Sequence, residues 1–140
     1  MKANELMAGT FVYFNCFGGS KIVVCVTGFE NRLVYGNSKN GSHWCNIEKV
    51  EPILITPEIL EKNEFVANNK VYPYPYYEYI DEEHELKIGF AFPQGNRTSY
   101  KEPWVYIDSE HVFIEHLPCI FIHQFQEILI LSRIEKEIIL

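Results

Sequence analysis

The sequence lacks the short motifs that mark the common catalytic and nucleotide-binding sites. Its 140 residues contain no Walker A loop, no G-x-G-x-x-G turn, no H-E-x-x-H or G-x-S-x-G pattern and no EF-hand loop. Each motif is defined by a spacing that its chemistry requires, so their absence argues against phosphate cradling, zinc proteolysis, acyl transfer and calcium binding. We therefore expect no catalytic residue, no cofactor and no resident metal ion.

Long hydrophobic runs are also missing. A membrane-spanning helix needs about 18 or more uninterrupted apolar residues. The longest apolar stretch, 114–131, is interrupted by six polar residues: Glu115, His116, His123, Gln124, Gln126 and Glu127. The opening residues Met1–Leu6 contain too short an apolar run for a secretion signal. We expect neither a membrane anchor nor export.

Cysteine is sparse and unclustered. Cys16, Cys25, Cys45 and Cys119 lie far apart, and no C-x-x-C occurs. Such usage is ordinary for a protein in a reducing compartment, where a free cysteine packs as a small hydrophobe. We expect free, buried thiols and a cytoplasmic location.

Basic residues are scarce. The chain has 12 Lys and Arg against 19 Asp and Glu, a formal charge of −7. The deficit lies after residue 56, because residues 57–140 carry seven basic and fifteen acidic side chains. Affinity for nucleic acid comes mainly from basic side chains that neutralise phosphates, so nucleic-acid binding is disfavoured. The nearly neutral first part leaves one alternative, a nucleic-acid accessory protein that uses Lys21, Arg32 and Lys39 on the rim of its sheet.

Apolar residues are plentiful at 47%, and in residues 1–55 they form short runs separated by turn residues. Gly18 and Gly19 are typical of a hairpin turn, and a polar loop, Gly36–Ser42, marks a second one. Such runs predict a small, curled antiparallel sheet, an SH3-like or OB-like β-barrel lobe. Five strands are predicted: Thr10–Asn15, Lys21–Gly28, Asn31–Tyr35, His43–Ile47 and Pro52–Ile55.

Residues 56–140 predict an α+β lobe, an antiparallel sheet packed by a C-terminal helix. The two lobes could also form one compact domain. Thr56 and Pro57 are typical of a helix start, which predicts a short helix over Pro57–Asn63. An edge strand or extended segment is expected at Tyr72–Ile80, because its prolines cannot donate to a ladder. Further strands are predicted at Leu86–Phe92, Trp104–Ile107, His111–Ile114 and Glu137–Leu140.

The clearest helix is predicted over Pro118–Leu131, with proline in its first turn. At 100° per residue its apolar side chains form a wide stripe. That stripe indicates either deep burial or a homo-oligomer contact. The stripe contains Phe121, Phe125, Ile128 and Leu129, whereas Cys119, His123, Gln126 and Glu127 lie on the opposite face.

The best metal candidate is the set His116, Cys119 and His123. Within one early-starting helix, spacings of three and four residues would place these nitrogen and sulfur ligands on one face, as zinc requires. A zinc-dependent enzyme is therefore a second alternative. A polar face with a capping or hydrogen-bonded histidine explains the same residues without a metal.

Two other clusters contain residue types that occur in catalytic sites. His43 and Cys45 share one side of a predicted strand, but nothing else in the sequence supplies an oxyanion site, so core packing beside Trp44 explains them as well. An acidic group surrounds His84, and a run of this kind on a turn is usually solvated. Its carboxylates are Glu78, Asp81, Glu82, Glu83 and Glu85.

The tyrosine–proline run Tyr72–Tyr79 is the strongest candidate for binding. Tyrosine offers a large contact area with few rotatable bonds, and an extended proline-rich chain loses little entropy on docking. The alternative is that some of these tyrosines pack in the core of the second lobe while the others face water.

Three segments carry a family resemblance. The opening Met1–Leu6 resembles a K-A-N-E-L start, Val50–Phe65 is similar to E-P-I-x-L-T-E-E-I-L-x-K-x-G-F, and Ile122–Gln126 resembles V-H-x-L-Q before an apolar helix. These segments resemble a family of small uncharacterised proteins of gut bacteria and their phages or mobile elements. The resemblance implies that setting but no activity. We therefore expect a non-catalytic protein-interaction or accessory protein with an unidentified protein partner.

Overall fold

The computed structural model describes residues 5–17, 20–94 and 101–140, without the side chains of residues 16 and 17. The chain forms two compact units. The first consists of Met1–Leu54 and Phe121–Ile128, and the second of Ile55–Ile120 and Leu129–Leu140. Residues 121–128, expected with the rest of 56–140 in the second lobe, belong to the first unit.

The first unit contains one antiparallel sheet. Its described strands are β1 (Phe11–Phe17), β2 (Ser20–Glu30), β3 (Leu33–Ser38), β4 (Gly41–Asn46) and β5 (Val50–Glu51). They lie in the order β4-β3-β2-β1-β5, and a 3₁₀ turn at Ile47–Lys49 leads into β5. Among the described strands β4 and β5 form the two edges, so these strands do not close into a barrel.

The core of this unit comes from strand alternation. Every second side chain of a strand points to the same face, and the buried positions follow that rule in β1, β2 and β3. They form one cluster, which includes Val12, Phe14, Val24, Val26, Val34 and Cys45.

The predicted polar loop of the second hairpin is mostly strand. Asn37 pairs with Ser42 and Ser38 with Gly41, which leaves only two residues to turn the chain. The Ser42 hydroxyl donates to Asn37 Oδ1 at 2.9 Å, so polar side chains extend the ladder. The predicted Gly18–Gly19 turn lies outside the described residues.

The second unit contains a second antiparallel sheet with the order β10-β9-β8-β7-β6. The helix α1 (Pro57–Lys62) precedes it, and the Thr56 hydroxyl caps this helix by accepting the Ile59 N–H at 3.3 Å. The fold is therefore α+β, with two antiparallel sheets and a C-terminal helix, α2 (Ile122–Leu131). The strands are β6 (Val66–Ala67), β7 (Tyr76–Asp81), β8 (Leu86–Ala91), β9 (Trp104–Asp108) and β10 (Phe113–Pro118).

The edge strand or extended segment expected at Tyr72–Ile80 is confirmed only in part. The strand begins at Tyr76, after the prolines, and pairs with β8 on one side and with the short β6 on the other. Proline is excluded from the ladder as expected, but it precedes an inner strand. The predicted strand Glu137–Leu140 was wrong, because these residues form no ladder.

The C-terminal helix begins four residues later than predicted, because backbone hydrogen bonds hold the preceding residues extended. Pro118 ends β10, and the Cys119 N–H donates to Pro103 O at 3.0 Å. The Ile122 N–H then donates to Ile53 O at 2.8 Å. These bonds to distant residues compete with the local helix signal of proline.

The expected polar face of α2 is partly buried. Gln126 is buried, and its Oε1 accepts the Phe11 N–H at 2.7 Å within the first unit. The large apolar residues at the helix end, Ile130 and Leu131, are exposed, Leu131 by 77%. The apolar stripe therefore stops short of the C-terminal end of the helix.

Candidate functional site

The residues considered for zinc lie in different surroundings. His116 belongs to β10, has a left-handed backbone (φ 52°) and packs against Trp104 with 4.5 Å between ring centroids. Cys119 is buried, and burial raises the pKa of its thiol to about 12. Within the described ranges, no three His, Cys, Asp or Glu side chains form a group that could hold a metal ion. The geometry therefore gives the zinc hypothesis no support.

His123 is a buried residue of the first unit. Its ring stacks on Phe121 at 5.7 Å, and among the described residues its Nδ1 has no hydrogen-bond partner. Burial lowers the pKa of His123, and Glu5 opposes the shift. A neutral, buried imidazole of this kind acts as a packing residue.

His43 and Cys45 share one side of β4 but have separate contacts. His43 Nε2 lies 2.7 Å from the Ser38 hydroxyl, whereas Cys45 is buried in the core cluster of the first unit. Trp44 is exposed on the opposite side of the strand, so it does not pack beside them as expected. Cys25 is a free thiol, Cys45 and Cys119 are buried, and the side chain of Cys16 lies outside the described set.

Two of the three cations suggested for nucleic-acid binding are paired with carboxylates. Lys21 Nζ lies 2.9 Å from Glu51, and Arg32 forms an ion pair with Glu48. Lys39 is exposed in the turn between β3 and β4. Carboxylates beside the cations leave less positive charge for a phosphate backbone.

The acidic group at 78–85 divides into an exposed turn and two paired carboxylates. Asp81 Oδ2 lies 2.8 Å from His84 Nδ1, and Asp81 Oδ1 accepts the backbone N–H of His84 at 3.2 Å. These hydrogen bonds lower the pKa of Asp81 and raise that of His84. Glu78 lies 3.3 Å from Lys87 Nζ. Three carboxylates are exposed in the turn: Glu82, Glu83 and Glu85.

One face of the second sheet carries aromatic side chains. The register places Tyr76 opposite Ala91 and Ala91 opposite Trp104, while Tyr106 lies opposite Gly89 on the same face. The other face holds the buried residues Ile88, Phe90, Val105 and Ile107. We call the first set the aromatic face, and it consists of Tyr72, Tyr76, Trp104, Tyr106 and Phe113.

The tyrosine–proline run contributes both core and surface to this face. Tyr72 stacks on Tyr74 at 5.1 Å and meets Tyr76 edge-on at 5.1 Å. It also meets Trp104 edge-on at 5.3 Å. Tyr74 and Tyr76 are buried, whereas Tyr72 is half-buried and accessible. Tyr74 and Tyr76 therefore pack in the core as the alternative expected, and binding by the run stays a prediction.

The accessible part of the aromatic face centres on Phe113. This side chain is 61% exposed and meets the ring of Tyr106 edge-on at 5.6 Å. Ile80 is exposed on the same face of β7. An exposed phenylalanine beside a half-buried tyrosine is typical of a contact surface.

Charged residues border the aromatic face. Burial raises the pKa of Tyr106, Asp108 and Glu115 add to the shift, and Lys87 opposes it, so all three charges act on this tyrosine. Lys87 Nζ also lies 6.0 Å from the centre of the Tyr106 ring. Beyond Ile80 a shallow groove of about 450 Å³ continues the border, and its carboxylates are Asp81, Glu82, Glu85, Asp108 and Glu110. The border is predominantly acidic.

Sequence reasoning missed Tyr106 and Phe113. Both lie in strands whose alternation was visible, but periodicity does not reveal which face of a sheet is covered. The signal that could have found them is the alternation of Trp104, Tyr106 and Asp108, which places two aromatic residues and an acid on one side.

Comparisons of the chain with protein-family models, curated proteins and solved structures find no match.

Across the described residues, no helix is long and apolar enough to cross a membrane.

Proposed function

We propose that this chain is a non-catalytic protein-interaction or accessory protein whose aromatic face binds a basic segment of a partner protein. The observation that carries the proposal is Phe113, which is exposed beside Tyr106 at an acidic border formed by Asp108 and Glu115. Arginine and lysine are attracted both to aromatic faces and to carboxylates.

Charge supports a basic partner over an acidic one. Glu78, Asp108 and Glu115 border the face, and Lys87, the one cation in this set, is held by Glu78. The residues 57–140 carry eight more acidic than basic side chains. Such a field attracts positively charged segments and repels nucleic acid.

The test is the binding of a fluorescein-labelled peptide of alternating arginine and glycine, followed by fluorescence anisotropy. Phe113→Ala leaves the charge unchanged and removes the exposed ring. We expect it to weaken binding about two- to fivefold, which is the loss of one exposed cation–π contact. Phe29→Ala is the matched control, because Phe29 is an exposed phenylalanine on β2 of the first unit.

The charged border has its own variant in the same assay. Glu115→Gln should weaken binding at low salt and have a smaller effect at about 150 mM salt, where charges beyond roughly 8 Å are screened. Equal binding by the Phe113→Ala and parent proteins would refute a role for the face. Binding of a labelled single-stranded oligonucleotide, with no peptide binding, would favour the nucleic-acid alternative.

We further propose that this role belongs to a phage or mobile-element setting, in the cytoplasm. The resemblance of the chain's two ends and its centre to small proteins of gut bacteria and their phages supports the setting. The free thiol of Cys25 and the absence of a C-x-x-C motif from the sequence support a reducing compartment. A pull-down from the native host tests the setting, and capture of only exported or envelope proteins would contradict it.

We also propose that the first unit is a partly open member of the SH3-like or OB-like class. What supports this is the order β4-β3-β2-β1-β5, in which β1 joins the β2–β4 meander to a short last strand. Amide hydrogen exchange tests it. Slow exchange in β1 and β2 with fast exchange in the outward amides of β4 and β5 is expected, and equal protection of all five strands would indicate closure.

A further inference from the structure

A cleft in the second unit, of about 310 Å³, contains no residue of the aromatic face, although it shares lining residues with the acidic groove: Asp81, Leu86, Ser109 and Glu110. Its wall consists of the end of the β7–β8 hairpin, the turn before β10 and the segment 132–136 that follows α2. We call it the Lys136 cleft, after a lysine of its wall. Its volume is at the lower end of the range for small-molecule sites.

Lys136 is held in place by its surroundings. Its Nζ lies 3.8 Å from the centre of the Tyr79 ring and 5.9 Å from that of Phe65. The chain beyond it is anchored, because Asn63 donates to Ile139 O at 2.8 Å and accepts the Ile139 N–H at 2.7 Å. A half-buried ammonium on an anchored backbone is preorganised for a ligand.

Two of the three carboxylates that line the cleft lie near histidines. Asp81 is bonded to His84 at 2.8 Å, and Glu110 lies 4.0 Å from His111. Glu135 is exposed. No carboxylate of the described residues lies within ion-pair distance of Lys136. Burial lowers the pKa of Lys136, and Glu64 and Asp81 oppose the shift.

A second cation faces the same cleft. Arg133 takes the left-handed conformation (φ 58°) at the end of α2, where its N–H donates to Ile130 O at 3.1 Å. Ser132 is buried and lines the cleft beside it. Leu86 and Ile134 supply apolar wall. The cleft therefore combines two cations with apolar wall, and three carboxylates also line it: Asp81, Glu110 and Glu135.

We propose that the Lys136 cleft binds a small organic anion, whose carboxylate pairs with Lys136 and Arg133 and whose flat body packs against Tyr79, Leu86 and Ile134. Charge-assisted hydrogen bonds to a carboxylate are the interactions that Lys and Arg make best. The proposal does not depend on the aromatic face, since neither Phe113 nor Tyr106 lines the cleft.

The experiment compares benzoate with benzamide, which has nearly the same shape without the charge. Two-dimensional NMR of the full chain follows the amides of 132–136 during each titration. We expect benzoate to bind with a Kd of about 1 mM or tighter, and benzamide at least about tenfold more weakly. Equal affinity for the two probes, or no benzoate binding at about 10 mM, would overturn the proposal.

Lys136→Met retains the aliphatic stem and removes the charge, so benzoate affinity should fall about tenfold or more. Lys70→Met is the matched control, an exposed lysine of the same unit outside the cleft. Arg133→Gln supplies a second variant at an exposed position and should weaken benzoate several-fold. Unchanged benzoate binding in both Lys136→Met and Arg133→Gln would show that the anion binds elsewhere.

Discussion

The close approach of Tyr76 to Gly89 predicts that a side chain at position 89 destabilises the protein, and urea denaturation can measure the sign of that change. The two residues lie on adjacent strands of the aromatic face, and the Tyr76 ring lies over the glycine. A Cβ at position 89 would overlap the Tyr76 hydroxyl and lie 2.7 Å from its Cζ. Gly89→Ala must therefore displace a ring that is only 4% exposed.

Two estimates of the cost agree. Displacement of Tyr76 loosens its contacts with Tyr72, at 5.1 Å, and with Trp104, at 6.1 Å. Aromatic pairs contribute about 0.5–1.5 kcal/mol each, so the loss is about 1–3 kcal/mol. Overpacking of a well-packed site also costs about 1–3 kcal/mol. Without the overlap, replacing glycine by alanine in a strand would stabilise the protein by roughly 0.5–1 kcal/mol.

The assay is urea denaturation followed by tryptophan fluorescence in a Trp44→Phe background. That substitution removes the exposed tryptophan of the first unit, so the buried Trp104 reports on the second unit alone. We expect Gly89→Ala to lower the free energy of unfolding by about 1–3 kcal/mol. In a Tyr76→Ala background the same change should be neutral or stabilising, because the obstructing ring is gone. Stabilisation by Gly89→Ala with Tyr76 present would refute the packing described for this face.

Three further predictions concern other parts of the chain. Gly36→Ala should lower the free energy of unfolding in urea by about 1–3 kcal/mol, because its Cβ would meet Val24 and lie 2.7 Å from the Cys25 carbonyl oxygen. The control is Gly28→Ala on the paired strand, whose Cβ meets nothing within 4 Å and which should be neutral or stabilising. Equal effects of the two substitutions would contradict this account. The pKa of His84 is raised in the folded state, so its contribution to stability is full below the unfolded pKa of about 6.5 and is lost as the pH rises through the folded pKa. The pKa of Asp81 is lowered in the folded state, so its contribution is present above the unfolded pKa of about 3.9 and is lost as the pH falls through the folded pKa. Asp81→Asn should therefore lower the NMR titration midpoint of His84 toward about 6.5, and an unchanged midpoint would rule out the pair. If the exposed end of α2 forms the predicted homo-oligomer contact, Leu131→Glu should shift the protein to a smaller species in size-exclusion chromatography. A parent protein that elutes as an oligomer, with a Leu131→Glu variant that elutes at the same volume, would exclude that contact.

Local chemistry was sufficient where neighbouring residues decide the conformation. Thr56 and Pro57 start a helix in any context that permits one, because capping and a preset φ act within one turn. Short apolar runs between turn residues located the strands β1–β3, because turn residues act on the backbone of their immediate neighbours. Which side of each strand is buried follows from the side-chain period of two in the folded sheet. The absence of chemical motifs was also a property of the sequence by itself.

Only the tertiary structure decided where distant segments meet. The bonds of Cys119 to Pro103 and of Ile122 to Ile53 override a proline-marked helix start, because a local preference of a few tenths of a kcal/mol cannot compete with ladder hydrogen bonds. The same holds for the candidate sites. Tyr106 reaches Phe113 through strand register, and Lys136 reaches Tyr79 across 57 positions of sequence. Pairings of this range depend on the packing of whole strands, which no short window of sequence encodes.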